Sequence, residues 1–74
     1  MKCEWRYFIV LNNRNDLNNI VEFSETPNGL PLCQDFSVAI NFKTPEKLNK
    51  WVSENTSLSV ENEDYHIEGH YLRV

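Results

Sequence analysis

The sequence predicts an α+β fold: a two-layer sandwich in which a mostly antiparallel sheet of four or five strands packs on one helix, in the order β-β-β-α-(β)-β. Three observations predict it. Apolar side chains alternate with a period of two along 3–11 and again along 35–43. A single stretch, opened by Thr44-Pro45, carries apolar residues at helical spacing. And 74 residues, 41% of them hydrophobic and 12% aromatic, give one domain with one core and are too apolar for a disordered segment.

The first strand reads as Cys3 to Leu11, with Cys3, Trp5, Tyr7, Ile9 and Leu11 on one face and Glu4, Arg6, Phe8 and Val10 on the other. Five of the ten asparagines fall between Asn12 and Asn19, which marks a turn-rich loop, because Asn bonds to nearby backbone and tolerates left-handed geometry. Asn19 to Glu25 reads as a second strand. The competing reading is a short helix capped by Asp16, and the β-branched pair Ile20-Val21 favours the strand. Thr26-Pro27-Asn28-Gly29-Leu30-Pro31 is a turn. Asp35 to Lys43 is the cleanest alternation, with Phe36, Val38, Ile40 and Phe42 on one face. The helix follows: Thr44 caps it, Pro45 suits its first position, Glu46 complements its dipole, and Leu48, Trp51 and Val52 form its apolar stripe before it fades near Asn55. Trp51 is expected against Trp5, Ile40 or Tyr71. Leu58 and Val60 suggest a short strand. Asp64 to Val74 is the last strand, its core face Tyr65, Ile67 and Tyr71, with Gly69 marking a bulge.

Charge is unevenly spread. Residues 1–50 carry equal numbers of acidic and basic side chains. The net charge of −4 arises from 51–74, where Glu54, Glu61, Glu63, Asp64 and Glu68 face Arg73 alone. Such a surface repels phosphate and favours a protein partner with a basic surface, or serves simply as a solvated face. Lys43, Lys47 and Lys50 gather at the helix start, but no aromatic stacking signature or glycine-rich phosphate loop accompanies them, so no direct nucleic-acid binding is predicted. The longest apolar run, Tyr7 to Leu11, is far short of the ~20 residues of a membrane span. Charges within the N-terminal stretch argue against an export signal, which predicts a cytoplasmic protein with Cys3 and Cys33 as reduced thiols.

The most chemical-looking cluster is His66-x-Glu68-x-His70 on one face of the last strand. Imidazole and carboxylate ligate metals and move protons. A strand rises about 3.3 Å per residue, so the two histidines stand roughly 13 Å apart and cannot share one ion on a regular strand. Cys33 lacks any nearby elbow or oxyanion signal and reads as a small buried hydrophobe. No catalytic residue, metal site or cofactor is therefore predicted. A small metal-dependent or thiol enzyme using His66, Glu68, His70 or Cys33 is the alternative, and a purely structural, self-associating subunit is a third reading.

Strand parity leaves Phe8, Val10, Leu72 and Val74 on the sheet face away from the helix. One helix covers one face, so these four predict an apolar partner surface, most simply that of a twofold homodimer. The other outcome is a cover supplied by loop 12–19 or the Leu30–Cys33 segment. Together with Glu61, Glu63, Asp64 and Glu68, the four residues make the expected partner-binding set of a non-enzymatic protein-binding module.

The segment Phe42-Lys43-Thr44-Pro45-Glu46-Lys47-Leu48-Asn49-Lys50-Trp51 resembles part of some small phage anti-CRISPR inhibitors, which also pass from a strand through a capped turn into a helix bearing Leu-x-x-Trp. The resemblance covers ten residues and carries over no functional residue. It implies an inhibitory binding module from a phage or mobile element, acting on a larger host machine such as a CRISPR effector.

Overall fold

In the computed structural model, residues 2–12, 20–21 and 32–74 are described. The elements are β1 (Cys3–Leu11), β2 (Ile20–Val21), β3 (Leu32–Cys33), β4 (Asn41–Phe42), α1 (Pro45–Asn55) and β5 (Tyr65–Arg73). They form a mostly antiparallel sheet with one helix, the expected small α+β fold. Of the predicted second strand, Ile20 and Val21 form β2. Its remaining positions, the Asn-rich stretch 13–19 and the turn 26–31 lie outside the described residues.

β1 is the hub of the sheet. Along one side it pairs antiparallel with β5 in unbroken register, from Cys3 opposite Arg73 to Leu11 opposite Tyr65. Its other side is divided between β4 (Tyr7 opposite Phe42, Phe8 opposite Asn41) and β2 (Val10 opposite Ile20). β2 in turn pairs with β3, and the Ile40 amide donates to the Val21 carbonyl at 3.1 Å, which joins the two short segments.

α1 forms for local reasons that the sequence displays. Thr44 is extended at the N-cap and its Oγ1 accepts from the Lys47 amide at 3.2 Å, while Pro45 occupies the first turn and Glu46 faces the positive end of the dipole. At the other end, Thr56 donates to the Val52 carbonyl from both its amide (2.9 Å) and its hydroxyl (2.7 Å), and Asn55 Nδ2 donates to the Trp51 carbonyl at 2.9 Å. These bonds satisfy carbonyls that a helix end leaves open. Leu48 and Val52 are buried against Ile9, Val21, Ile40 and Tyr65, and the Tyr65 hydroxyl donates to Asn49 Oδ1 at 2.7 Å, tying β5 to the helix. Trp51 is half-buried at the border of this core and meets Phe42, ring centroids 6.1 Å apart, rather than Trp5 or Tyr71.

A second, smaller core lies on the opposite sheet face, where Phe8, Ile20 and Ala39 pack with Cys33 and Phe36. The dipeptides Phe8-Ile9, Ile20-Val21 and Ala39-Ile40 therefore each send one side chain to either core. Strands buried on both faces read as continuous apolar pairs rather than as alternation.

Several expectations are corrected. The long strand 35–43 is only Asn41–Phe42, because Asp35 opens a turn: its Oδ1 accepts from the Ser37 amide at 2.8 Å and its carbonyl from Val38 at 3.2 Å. The turn sends Phe36 to the face opposite Ile40 and leaves Val38 half-exposed. Leu58 and Val60 form no strand; Leu58 touches the main core and Val60 starts a turn. Tyr71 shares the face of Tyr65 and Ile67 but is 73% exposed, since α1 does not reach that end of the sheet. Gly69 marks no bulge; it lies under the Trp5 indole, and a Cβ built there would stand 2.3 Å from Trp5 Cζ2.

Candidate functional site

The sheet face away from the helix is where the apolar partner surface was expected, and the fold fills most of it from within. The turn after Asp35 lays Phe36 edge-on against Phe8, centroids 4.8 Å apart, and Ile20 sits beside Val10 across the ladder. Phe8 is completely buried and Val10 nearly so. Both are thus removed from the expected binding set: the cover comes from Ile20 and from 33–39, which meets the named Leu30–Cys33 segment at Cys33 and extends past it to Phe36 and Ala39. Leu72 is half-buried and Val74 exposed at the end of β5.

The same face carries His66, Glu68 and His70. Glu68 sits between the histidines and uses one carboxylate oxygen for each: Oε2 accepts from His66 Nε2 at 2.6 Å and Oε1 from His70 Nε2 at 3.1 Å. His66 Nδ1 bonds to Asn12 Oδ1, while Asn12 Nδ2 donates to the Glu63 carbonyl at 2.9 Å. His70 stacks on Phe36 with centroids 4.0 Å apart, which joins the cluster to the second core. The hydrogen bond from His66, and after it that from His70, holds the Glu68 carboxyl below the usual carboxylate range against the opposing effect of partial burial. The three side chains therefore form a closed chain of hydrogen bonds along one strand. Among the described residues no three His, Cys, Asp or Glu side chains converge as a metal site requires. The Cys33 thiol points to the Asp35 carbonyl at 3.5 Å and packs in the second core.

The acidic region resolves into a turn at 60–63 between α1 and β5. Its backbone is held at several points. The Glu63 amide donates to the Val60 carbonyl (3.1 Å), the Asp64 amide to the Ser59 carbonyl (3.1 Å) and the Asn12 amide to the Asp64 carbonyl (3.0 Å). Asp64 Oδ2 accepts from the Ser59 amide at 2.9 Å and Ser59 Oγ from the Glu61 amide at 3.2 Å. Glu63 adopts φ 57°, a left-handed conformation that this bonding sustains. Asp64 is thus a structural member of the turn, whereas Glu61 and Glu63 are exposed beside the 57% exposed Val60.

A third surface was not legible beforehand. Trp5, 45% exposed, lies over Gly69 and meets Tyr71 and Tyr7 edge-on, with centroids 5.0 and 6.4 Å apart. The signal was Gly69 itself, a residue without a side chain on the strand beside an aromatic-rich one. Around the helix, Lys47 and Lys50 flank a shallow groove floored by Phe42 and Trp51, and Lys50 pairs with Glu54 at 3.9 Å.

The chain matches no family model, no curated protein and no solved structure. What it does has to be argued from these surfaces. The expected binding residues do not converge: Glu61 and Glu63 stand together on the turn, Glu68 is engaged by two histidines, and Leu72 and Val74 lie at the far end of β5. No helix among the described residues is long and apolar enough to cross a membrane.

Proposed function

We propose that the protein is a non-enzymatic protein-binding module of the cytoplasm whose partner-facing element is the acidic turn 60–63. The observation that carries this reading is the turn's pre-organisation. Backbone and side-chain bonds from Ser59, Asp64 and Asn12 fix it, while the Glu61 and Glu63 carboxylates and the Val60 side chain face outward. A rigid loop loses little conformational entropy on binding, and exposed carboxylates steer a basic partner toward it.

The resemblance over 42–51 and the small size favour an inhibitor from a phage or mobile element, directed at a larger host machine such as a CRISPR effector. The test is an affinity pull-down from the native host, followed by association kinetics with the recovered protein across a salt series. Glu61→Lys with Glu63→Lys should slow association more than it speeds dissociation, and binding of the wild type should weaken with salt. Salt-independent binding unaffected by the pair overturns the assignment of the turn. A stoichiometric transition metal retained after dialysis overturns the non-enzymatic reading.

A further inference from the structure

Among the described residues β5 presents an open edge, and its residues are complementary to themselves. In the β1–β5 ladder the Val74 amide donates to the Lys2 carbonyl and the Asn12 amide to the Asp64 carbonyl. Even-numbered residues of β5 therefore turn their main-chain groups toward β1, and Tyr65, Ile67, Gly69, Tyr71 and Arg73 turn theirs outward. Among the described residues no strand pairs with that outer side. The edge is nine residues long and its register is unbroken; of the devices that usually blunt an exposed edge it lacks proline, lysine and a bulge, and carries only the charged Glu68 and Arg73.

We propose that a second copy of this chain occupies this edge, β5 pairing antiparallel with its twin about a twofold axis at Gly69. Such an axis, perpendicular to the sheet, keeps both helices on one side and sets residues of the same parity opposite each other. Gly69 is the midpoint of Tyr65–Arg73, so this register alone pairs the whole strand. It also sets outward main-chain groups against outward groups, with Gly69 facing Gly69 and Ile67 facing Tyr71 of the partner subunit.

Hydrogen-bond complementarity selects the same register. Glu68 stands opposite His70 of the partner subunit, and the converse holds across the axis. Moving the axis by one residue would set Glu68 against its own copy, or His70 against its own copy, at the close spacing of a non-hydrogen-bonded pair. On the helix side, the exposed Tyr71 and the half-buried Ile67 cover each other, and the two Trp5 rings, each over its own Gly69, flank the axis. The dimer accounts for the aromatic surface that α1 leaves open. It goes beyond the partner-binding reading and does not depend on it, since the acidic turn lies outside the paired strand.

The test combines sedimentation equilibrium with amide exchange followed by NMR. The wild type should sediment at twice the chain mass at micromolar concentration. On dilution to the monomer, the amides of Ile67, Gly69 and Tyr71 should lose their protection while those of His66, Glu68 and His70 keep theirs. Tyr71→Pro removes an outward amide and spares the bonds to β1, so it should sediment as a monomer with a wild-type circular dichroism spectrum. If that variant does not fold, the exchange pattern of the wild type decides alone. A wild type that stays monomeric at the highest attainable concentration overturns the proposal. So does a dimer in which the amides of Ile67, Gly69 and Tyr71 exchange freely.

Discussion

Gly69→Ala tests the close approach of the Trp5 indole to the β5 backbone. A Cβ at that position would stand 2.3, 2.7 and 2.8 Å from Trp5 Cζ2, Cε2 and Nε1, well inside any real contact. The obstructing group is an indole 45% exposed, so it yields by swinging outward rather than by forcing the strands apart. An indole buries a little over half of its surface in this position, about 130 Å². At about 25 cal/mol per Å², complete release would forfeit ~3 kcal/mol, and release of half to most of it 1.5–2.5. Alanine recovers about 0.5–1 kcal/mol over glycine within a strand. The net expectation is a loss of about 0.5–2 kcal/mol, worth several degrees in Tm for a domain of this size. Urea unfolding at one fixed protein concentration measures it. The decisive comparison is the same substitution in a Trp5→Ala background, where the obstruction is gone and Gly69→Ala should stabilise by about 0.5–1 kcal/mol. Equal destabilisation in both backgrounds would refute the reasoning, because the glycine would then serve something other than the indole.

Two further outcomes are expected. Leu48→Ala, which empties a fully buried site under α1, should cost about 3 kcal/mol, and Trp51→Ala, from a half-buried ring resting on Phe42, about 2; urea midpoints in the reverse order would mean that the helix is anchored through Trp51. Glu68 is held below its unfolded pKa by its bonds to His66 and His70, so its contribution is present above the unfolded carboxylate pKa and lost as pH falls through the folded one. Tm followed from neutral to acid pH should drop less steeply across that window in Glu68→Gln than in the wild type, and parallel curves would show that the carboxylate adds nothing.

The structure divides the determinants of this protein by their range along the chain. β1, α1 and β5 were legible because each is specified within a few residues: the alternation through Cys3–Leu11 and Tyr65–Arg73, and the Thr44-Pro45-Glu46 cap ahead of Leu48 and Val52. The acidic character of the 60–63 turn was legible as well, though not that Asp64 serves the turn's own bonding. The 35–43 segment misled because its alternation outweighed the turn signal of Asp35 and Ser37, and a single turn sufficed to send Phe36 and Ile40 to opposite cores. What only the tertiary structure decided is non-local. Parity fixed that Phe8 and Val10 share a face, but their burial depends on where the chain returns after β2 and β3. The role of Gly69 depends on β1 lying beside β5 with Trp5 close by, and the sharing of Glu68 between two histidines depends on rotamers set by neighbours from Asn12 and Phe36. Periodicity tells a strand which side chains share a face; only the fold supplies what covers that face, because the covering residues lie tens of positions away and are brought there by packing.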